Sequence, residues 1–447
     1  MQLRSRKAAL HAAVASAIAQ SDWGLQDEFA ALLSHHYEAA GKAIDAARHL
    51  VRSAAWVGRT NAAEAFRQSK KTRQLLGSQH ASKDVEMMRA IASAAVLTFG
   101  WRVGMRPDEA DPYADEALRY AREFADDEAG PEVLMQYGRF KASTGSADEY
   151  AAVMEEALAM PATDLGRIAT IQACLAQAHW MSGFLLKAEA ACNTALRTLS
   201  VRQRQGVNGV VGLDAPPYTS FDVELWINCL KAQILVWLGR FDEASALLDE
   251  AFKAEGTTRE APVVQYIAHL ASVELACHRK DPAAARRHAD RILAYADQSD
   301  IPYLHVNALF ASARAKTASH DCADAVRDLQ ASLDFAAAAN AGREHQSHLM
   351  AELSYAQFGS GRFDEATETS RSAIEMARQR HHRLAECLAT MVHGAGIALR
   401  NGAVVNLEAD KYLARAEDLV RVTGAALLAS RLETLRTDVR DRRVEGK

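Results

Sequence analysis

Two stretches, "LGRFDEASALLDEAF" (238–252) and "SGRFDEATETSRSAIEMA" (360–377), share the hexapeptide GRFDEA, at Gly239–Ala244 and again at Gly361–Ala366. An identity of six residues recurring after 122 positions is either a duplicated site or the joint of a structural repeat. The flanks decide. "FDVELWINCLKAQILVWL" (221–238) precedes the first copy and carries a helical pattern, while "DEASALLDEAFKAEG" follows as a second amphipathic helix. Glycine suits the end of the first helix because it enters the left-handed region without a Cβ clash. Phe241 then fills the joint, and Ala244, Leu248 and Ala251 continue one face at helical spacing. Gly361, Phe363, Ala366, Ser370 and Ala373 repeat the same grammar. The hexapeptide is a turn.

Weaker copies extend the array. Ala188 sits in "SGFLLKAEAACNTAL", Ala285 in "KDPAAARRHADRIL", Ala325 in "HDCADAVRDLQASL" and Ala409 in "NLEADKYLARAEDL". From Ala244 onward the alanines step by 41, 40, 41 and 43 residues, whereas Ala188 to Ala244 spans 56 because "SVRQRQGVNGVVGLDAPPYTS" intervenes. Near the start, "LLSHHYEAAGKAIDAARHLVRSA" offers Tyr37, Gly41, Ala46 and Leu50 in matching roles. One helix hairpin per fixed interval predicts an all-α, right-handed α-solenoid of about 20 helices with a repeat near 40 residues.

Composition agrees. The chain has 447 residues, 49% hydrophobic but only 7% aromatic, and nine prolines, a balance that favours Ala- and Leu-rich helices. A net charge of −5 gives no electrostatic case for nucleic acid or an acidic membrane, and no apolar run approaches a bilayer span. The six cysteines are scattered without a C-x-x-C pair and read as small core residues of a reducing, cytoplasmic protein. In "MQLRSRKAALHAAVASAIAQSDW", Leu10, Val14 and Ile18 recur every four residues, so an amphipathic first helix is expected rather than a targeting segment.

The small residue, turn glycine, turn aromatic and following alanine resemble the tetratricopeptide repeat, whose unit is about 34 residues; the longer interval here implies longer helices. The resemblance is strongest from Gly183 to Leu419. "AALHAAVASAI", the 32–54 stretch continued through "WVGRTNAAEAFRQSKKTRQLL", and "FGWRVGM", in that order, are also similar to the helical region after the ATPase module of bacterial class III nucleotide cyclases with a STAND ATPase. Similar arrays follow the ATPase of large LuxR-type regulators. That resemblance implies a sensory or scaffolding array. The expected divisions are N-terminal repeats over 1–80, irregular helices over 81–199, a loop over 200–220, a regular array over 221–440 and a tail over 441–447.

Chemistry of its own finds little support. There is no G-x-x-x-x-G-K-[ST], no alternating β/α pattern, and no helix-turn-helix at the C-terminus. Gly206, Gly209 and Gly212 are spaced G-x-x-G-x-x-G without a preceding strand, and read as a mobile loop stiffened at its exit by Pro216 and Pro217. His345 and His348 share a helix face beside Glu344, with His381 and His382 about one hairpin away, but a zinc site needs three or four converging ligands. His35 and His36, being consecutive, point to different sides. Glu155 and Glu156 read as solvent-facing. No catalytic residue, cofactor or metal is assigned, and the chain reads as a non-enzyme.

The concave side is the better candidate, since the resemblance places the first helix of each hairpin there. It selects Gln177, Trp180, Trp226, Gln233, Trp237, Phe310, Arg314, His348 and Tyr355, a mixture of aromatics, amides and a guanidinium suited to a protein or peptide partner. The indoles of Trp226 and Trp237 equally suit the interior between helices. Two functions remain open. One is a signal-transduction scaffold that binds a protein or peptide, linked to a cyclase or STAND ATPase. The other is a sensor holding a small molecule near Trp180 and Trp226, which a cavity closed on several sides would favour.

Overall fold

The computed structural model describes residues 2–58, 60–124, 129–211, 221–299, 301–400 and 407–445. The described residues form 21 α-helices. The first eight are α1 (Gln2–Ala19), α2 (Ala30–Ala39), α3 (Ala43–Val57), α4 (Ala62–Gly77), α5 (Lys83–Gly100), α6 (Pro107–Glu123), α7 (Ala129–Thr144) and α8 (Ala147–Ala159). Then follow α9 (Leu165–Met181), α10 (Leu185–Arg204), α11 (Val223–Trp237), α12 (Phe241–Phe252), α13 (Pro262–His278), α14 (Pro282–Asp297) and α15 (Pro302–Ala318). The last six are α16 (Cys322–Ala339), α17 (Gln346–Gly359), α18 (Phe363–Gln379), α19 (Arg383–Arg400), α20 (Leu407–Thr423) and α21 (Ala426–Glu445).

Each GRFDEA copy is a joint. Gly239 ends the α11 side and Gly361 the α17 side, at φ of 77° and 81°. Phe241 stacks on His278 with ring centroids 4.0 Å apart. Ala188, Ala244, Ala285, Ala325 and Ala366 are wholly buried and Ala409 almost so, which lets the paired helices approach closely. Where a copy lacks the glycine, Lys280 and His320 take the left-handed conformation instead. An L residue there costs roughly 1–2 kcal/mol, so the packing of the hairpin, and not the local residue, holds the joint.

Burial separates two layers. α11 hides 12 of its 15 residues and α13 hides 13 of 17, against three of 12 in α12 and five of 16 in α14. Helices apolar on all sides belong inside, and those with one apolar stripe belong outside. From α5 to α21 every odd-numbered helix touches the next odd-numbered one, giving an inner layer that the even-numbered helices back.

The inner layer of the solenoid also closes on itself, which hairpin periodicity does not specify. Asn340 Nδ2 donates to the carbonyls of Gly104 and Met105 at 3.2 and 2.9 Å. The Ala147 N–H reaches the Arg380 carbonyl at 3.1 Å, and Arg383 reaches the Ser182 carbonyl at 3.0 Å. These bonds join the α5–α9 side to the α16–α19 side. α21 continues the inner layer and also touches α11.

Other expectations change in detail. Leu10 is exposed, and α1 instead buries Ala15, with His11 and Ile18 half-buried, because α2 meets that side. α10 runs to Arg204, so the loop expected from 200 starts later. Its first part is tied down: the Arg202 guanidinium donates to the carbonyls of Val207, Asn208 and Gly209 at 3.1–3.3 Å. Gly212, Pro216 and Pro217 lie outside the described residues. α21 extends through Glu445, so most of the expected tail is helix.

Candidate functional site

The inner helices line a partly open cavity of about 110 Å³. Gln177 and Trp180 of α9, Trp226, Gln233 and Trp237 of α11, Phe310 of α15 and His348 of α17 all line it. Seven of the nine residues selected from sequence therefore meet in one place. Trp226 and Trp237 are each only 3% exposed, so they are core residues whose inner edges form the wall. His348 bridges two aromatics, with Trp237 and Phe310 both 5.6 Å away in edge-on contact.

Arg314 and Tyr355 do not line the cavity. Arg314 bonds Glu274 at 2.8 and 2.9 Å and Glu352 at 3.2 Å. Arg431 of α21 reaches the same two carboxylates at 2.9 and 2.6 Å and lies over the Tyr355 ring at 5.7 Å. All four charged groups are nearly inaccessible. The C-terminal helix thus occupies the part of the inner face where Arg314 and Tyr355 had been expected to meet a partner. Periodicity marked them as inward-facing but carried no sign of a helix from the far end of the chain.

Several wall residues were not among those selected for the inner face: Trp101, Arg102, Arg139, Tyr266 and Tyr303, together with Glu344, His345 and His382, which had been weighed only as metal ligands. Trp101 and Arg102 belong to "FGWRVGM", whose value as a landmark hid its value as a wall. Trp101 meets Tyr303 edge-on at 5.1 Å, across the ring closure.

The wall is rich in unpaired polar atoms. Trp101 Nε1, Arg102 Nε and Nη1, Arg139 Nη1, Trp180 Nε1, Glu344 Oε2 and His382 Nε2 are buried without a hydrogen-bond partner among the described residues. They are half of the 14 such atoms among the described residues, so the deficit is concentrated here. Each such group costs about 1–3 kcal/mol where neither protein, water nor ligand meets it.

Burial also sets the charge states. It pushes the His345, His348 and His382 imidazoles down to about 3, 4 and 3, so they are neutral near pH 7. It pushes the Glu344 carboxyl up to about 7 and, helped by repulsion from Arg139, brings Arg102 down to about 9. Tyr303 Oη lies 3.0 Å from His345 Nε2, and Ser347 Oγ lies 2.7 Å from His382 Nδ1. Ser347 is wholly buried and lies off the wall, so this pair presents no nucleophile to the cavity.

Metal binding finds no constellation: among the described residues no three His, Cys, Asp or Glu side chains are placed to hold an ion. His381 turns away and pairs with Asp148. His35 and His36, expected on different sides, both contact His11, with centroids 5.8 and 5.1 Å from it. A second cavity of about 460 Å³ lies among α3, α4, α5 and α7, walled mainly by Val51, Met87, Met88, Ile91, Phe99 and Val133. Arg139 borders both cavities.

No family model matches the chain, and no curated protein matches it. Among solved structures it is similar to a Rap protein complexed with competence and sporulation factor, at 12% identity, covering 90% of this chain and 99% of that one with a TM-score of 0.46. It is also similar to a STAND protein with a tetratricopeptide repeat sensor from Pyrococcus horikoshii, at 13% identity, covering 83% and 57% with a TM-score of 0.40. Yeast Tom70 is similar at 14% identity, covering 82% and 67% with a TM-score of 0.42. All three fall below a TM-score of 0.5, and what the site does is read from this chain's own residues.

Proposed function

We propose that this tetratricopeptide-like solenoid is a non-enzymatic sensor whose inner cavity takes up a small molecule. The observation behind it is the convergence of seven inner-face residues and seven unpaired buried polar atoms on one cavity, in a layer closed by its own ends. An extended peptide needs an open channel, and α21 fills the part of the face carrying Arg314 and Tyr355. Occupancy would be passed on through the closure contacts, because each hairpin of a solenoid rests on its neighbours and small angular changes accumulate.

A place in signalling, as the cytoplasmic sensory partner of a nucleotide cyclase or STAND ATPase, rests on the sequence resemblance. The test is a small-molecule screen read by tryptophan fluorescence, with Trp180→Phe and Gln233→Ala as controls. Saturable quenching that both variants weaken supports the reading. Saturation by polypeptides alone, undiminished in both variants, would return the chain to the class of peptide scaffolds.

A further inference from the structure

Five of the seven unpaired buried atoms carried by wall residues are donors lying behind the cavity surface: Trp101 Nε1, two nitrogens of Arg102, Arg139 Nη1 and Trp180 Nε1. A group that only accepts hydrogen bonds matches such a set, and an oxyanion is such a group. The arginines strengthen the point. Arg102 is 1% exposed, yet neither it nor Arg139 has a carboxylate within ion-pairing distance among the described residues. The carboxylates on the wall are otherwise placed: Glu274 is held by Arg314 and Arg431, and Glu344 makes no ion pair with either cavity arginine.

Aromatic faces support both guanidinium planes. Arg102 lies 5.5 Å from the Phe99 centroid and 5.8 Å from that of Trp101. Arg139 lies 5.4 Å from Phe221 and 5.6 Å from Trp226. Stacking of this kind steadies a guanidinium while leaving its N–H edge for a planar oxyanion. A buried charge without a partner is a standing cost to the fold, and a ligand that pairs with it removes that cost. The cavity, about 110 Å³, is of the scale of the roughly 150 Å³ engineered cavity that accepts benzene.

We infer that the ligand is a small organic anion: a flat ring among the indoles, carrying one carboxylate or phosphate against Arg102 and Arg139. This rests on the small-molecule reading above.

Calorimetric titration with benzoate, phenyl phosphate and benzyl alcohol separates the terms, using the full chain and its Arg139→Gln, Arg102→Met and Trp180→Phe variants. One of the two anions is expected to bind at least about tenfold tighter than the alcohol, the factor that a single charge-assisted contact supplies. Which of the two wins identifies the oxyanion. Arg139→Gln is expected to abolish that preference, and Trp180→Phe to weaken all three probes. Ligand-free Arg102→Met is expected to melt higher than the parent, since it removes an unpaired buried charge. If it melts lower, the charge is already satisfied within the chain and the inference falls; if it does not fold, Arg139→Gln, a half-buried position, decides. Binding of the alcohol without any anion preference overturns the anion and leaves the small-molecule reading standing. No saturable binding of any probe overturns both.

Discussion

Arg314 of α15 and Arg431 of α21 share the same two carboxylates, Glu274 of α13 and Glu352 of α17, each guanidinium bridging both. Four helices are joined by one buried layer of two positive and two negative groups. Formal neutrality makes the layer tolerable in a nearly inaccessible site, and the bridging geometry fixes where α21 lies.

Arg431→Met should therefore cost about 3–5 kcal/mol, because two buried carboxylates would be left with one cation. Urea unfolding measures the loss. Limited proteolysis should show earlier cleavage within 426–445 than in the parent chain. Unchanged protection there would mean that apolar contacts of Leu428, Leu432 and Leu435 alone hold the helix.

Ring closure is testable at Gly104. Its φ is 84°, and a Cβ there would lie 2.0 Å from the Ala339 carbonyl oxygen. Gly361 has a similar φ of 81° but open space around it. Gly361→Ala should cost only the left-handed penalty of about 1–2 kcal/mol. Gly104→Ala should cost clearly more and enlarge the radius of gyration in small-angle scattering, since backbone cannot yield as a flexible side chain does. Equal melting losses in the two variants would contradict the closure.

Stability should fall as the solution is acidified from pH 6.5 towards 4. Burial depresses the His345, His348 and His382 imidazoles to about 3, 4 and 3, so in this window the unfolded chain binds protons that the folded chain refuses. Each such histidine contributes a slope of up to about 1.4 kcal/mol per pH unit. Glu344, raised to about 7, acts oppositely between 7 and 4.5, being protonated when folded and ionised when unfolded. Glu352, also raised to about 7, opposes in the same way, while His269 and His288, lowered by burial to about 4, add to the loss, so five groups outweigh two. Urea midpoints at pH 7, 6 and 5 should decline, and less steeply in His348→Gln.

The thiols should resist reagents in the native state. Cys174, Cys192, Cys229 and Cys387 are buried, Cys277 and Cys322 half-buried, and none is in a disulfide. Desolvation pushes Cys192, Cys229, Cys277 and Cys387 up to about 12, leaving little thiolate at pH 8. Labelling with an aromatic disulfide at that pH should be fast for at most two thiols and complete only in urea.

Local spacing carried the hairpins. The repeat alanines are buried where the interval placed them, and the GRFDEA glycines turn the chain where they were expected to. The inner face was legible for the same reason, since helical periodicity tells which side chains share a stripe. Hence Gln177, Trp180, Trp226, Gln233, Trp237, Phe310 and His348 meet in one cavity.

Periodicity says nothing about which distant stripes face each other. The sequence by itself determined a repeating stack of helix pairs, because burial of one apolar stripe against the next is a short-range requirement. Only the tertiary structure decided that Gly104 would meet Ala339, that Arg431 would enter between Glu274 and Glu352, and that Arg102 and Arg139 would share a wall without a carboxylate partner among the described residues. Those juxtapositions depend on the accumulated curvature of many hairpins, which no local pattern encodes.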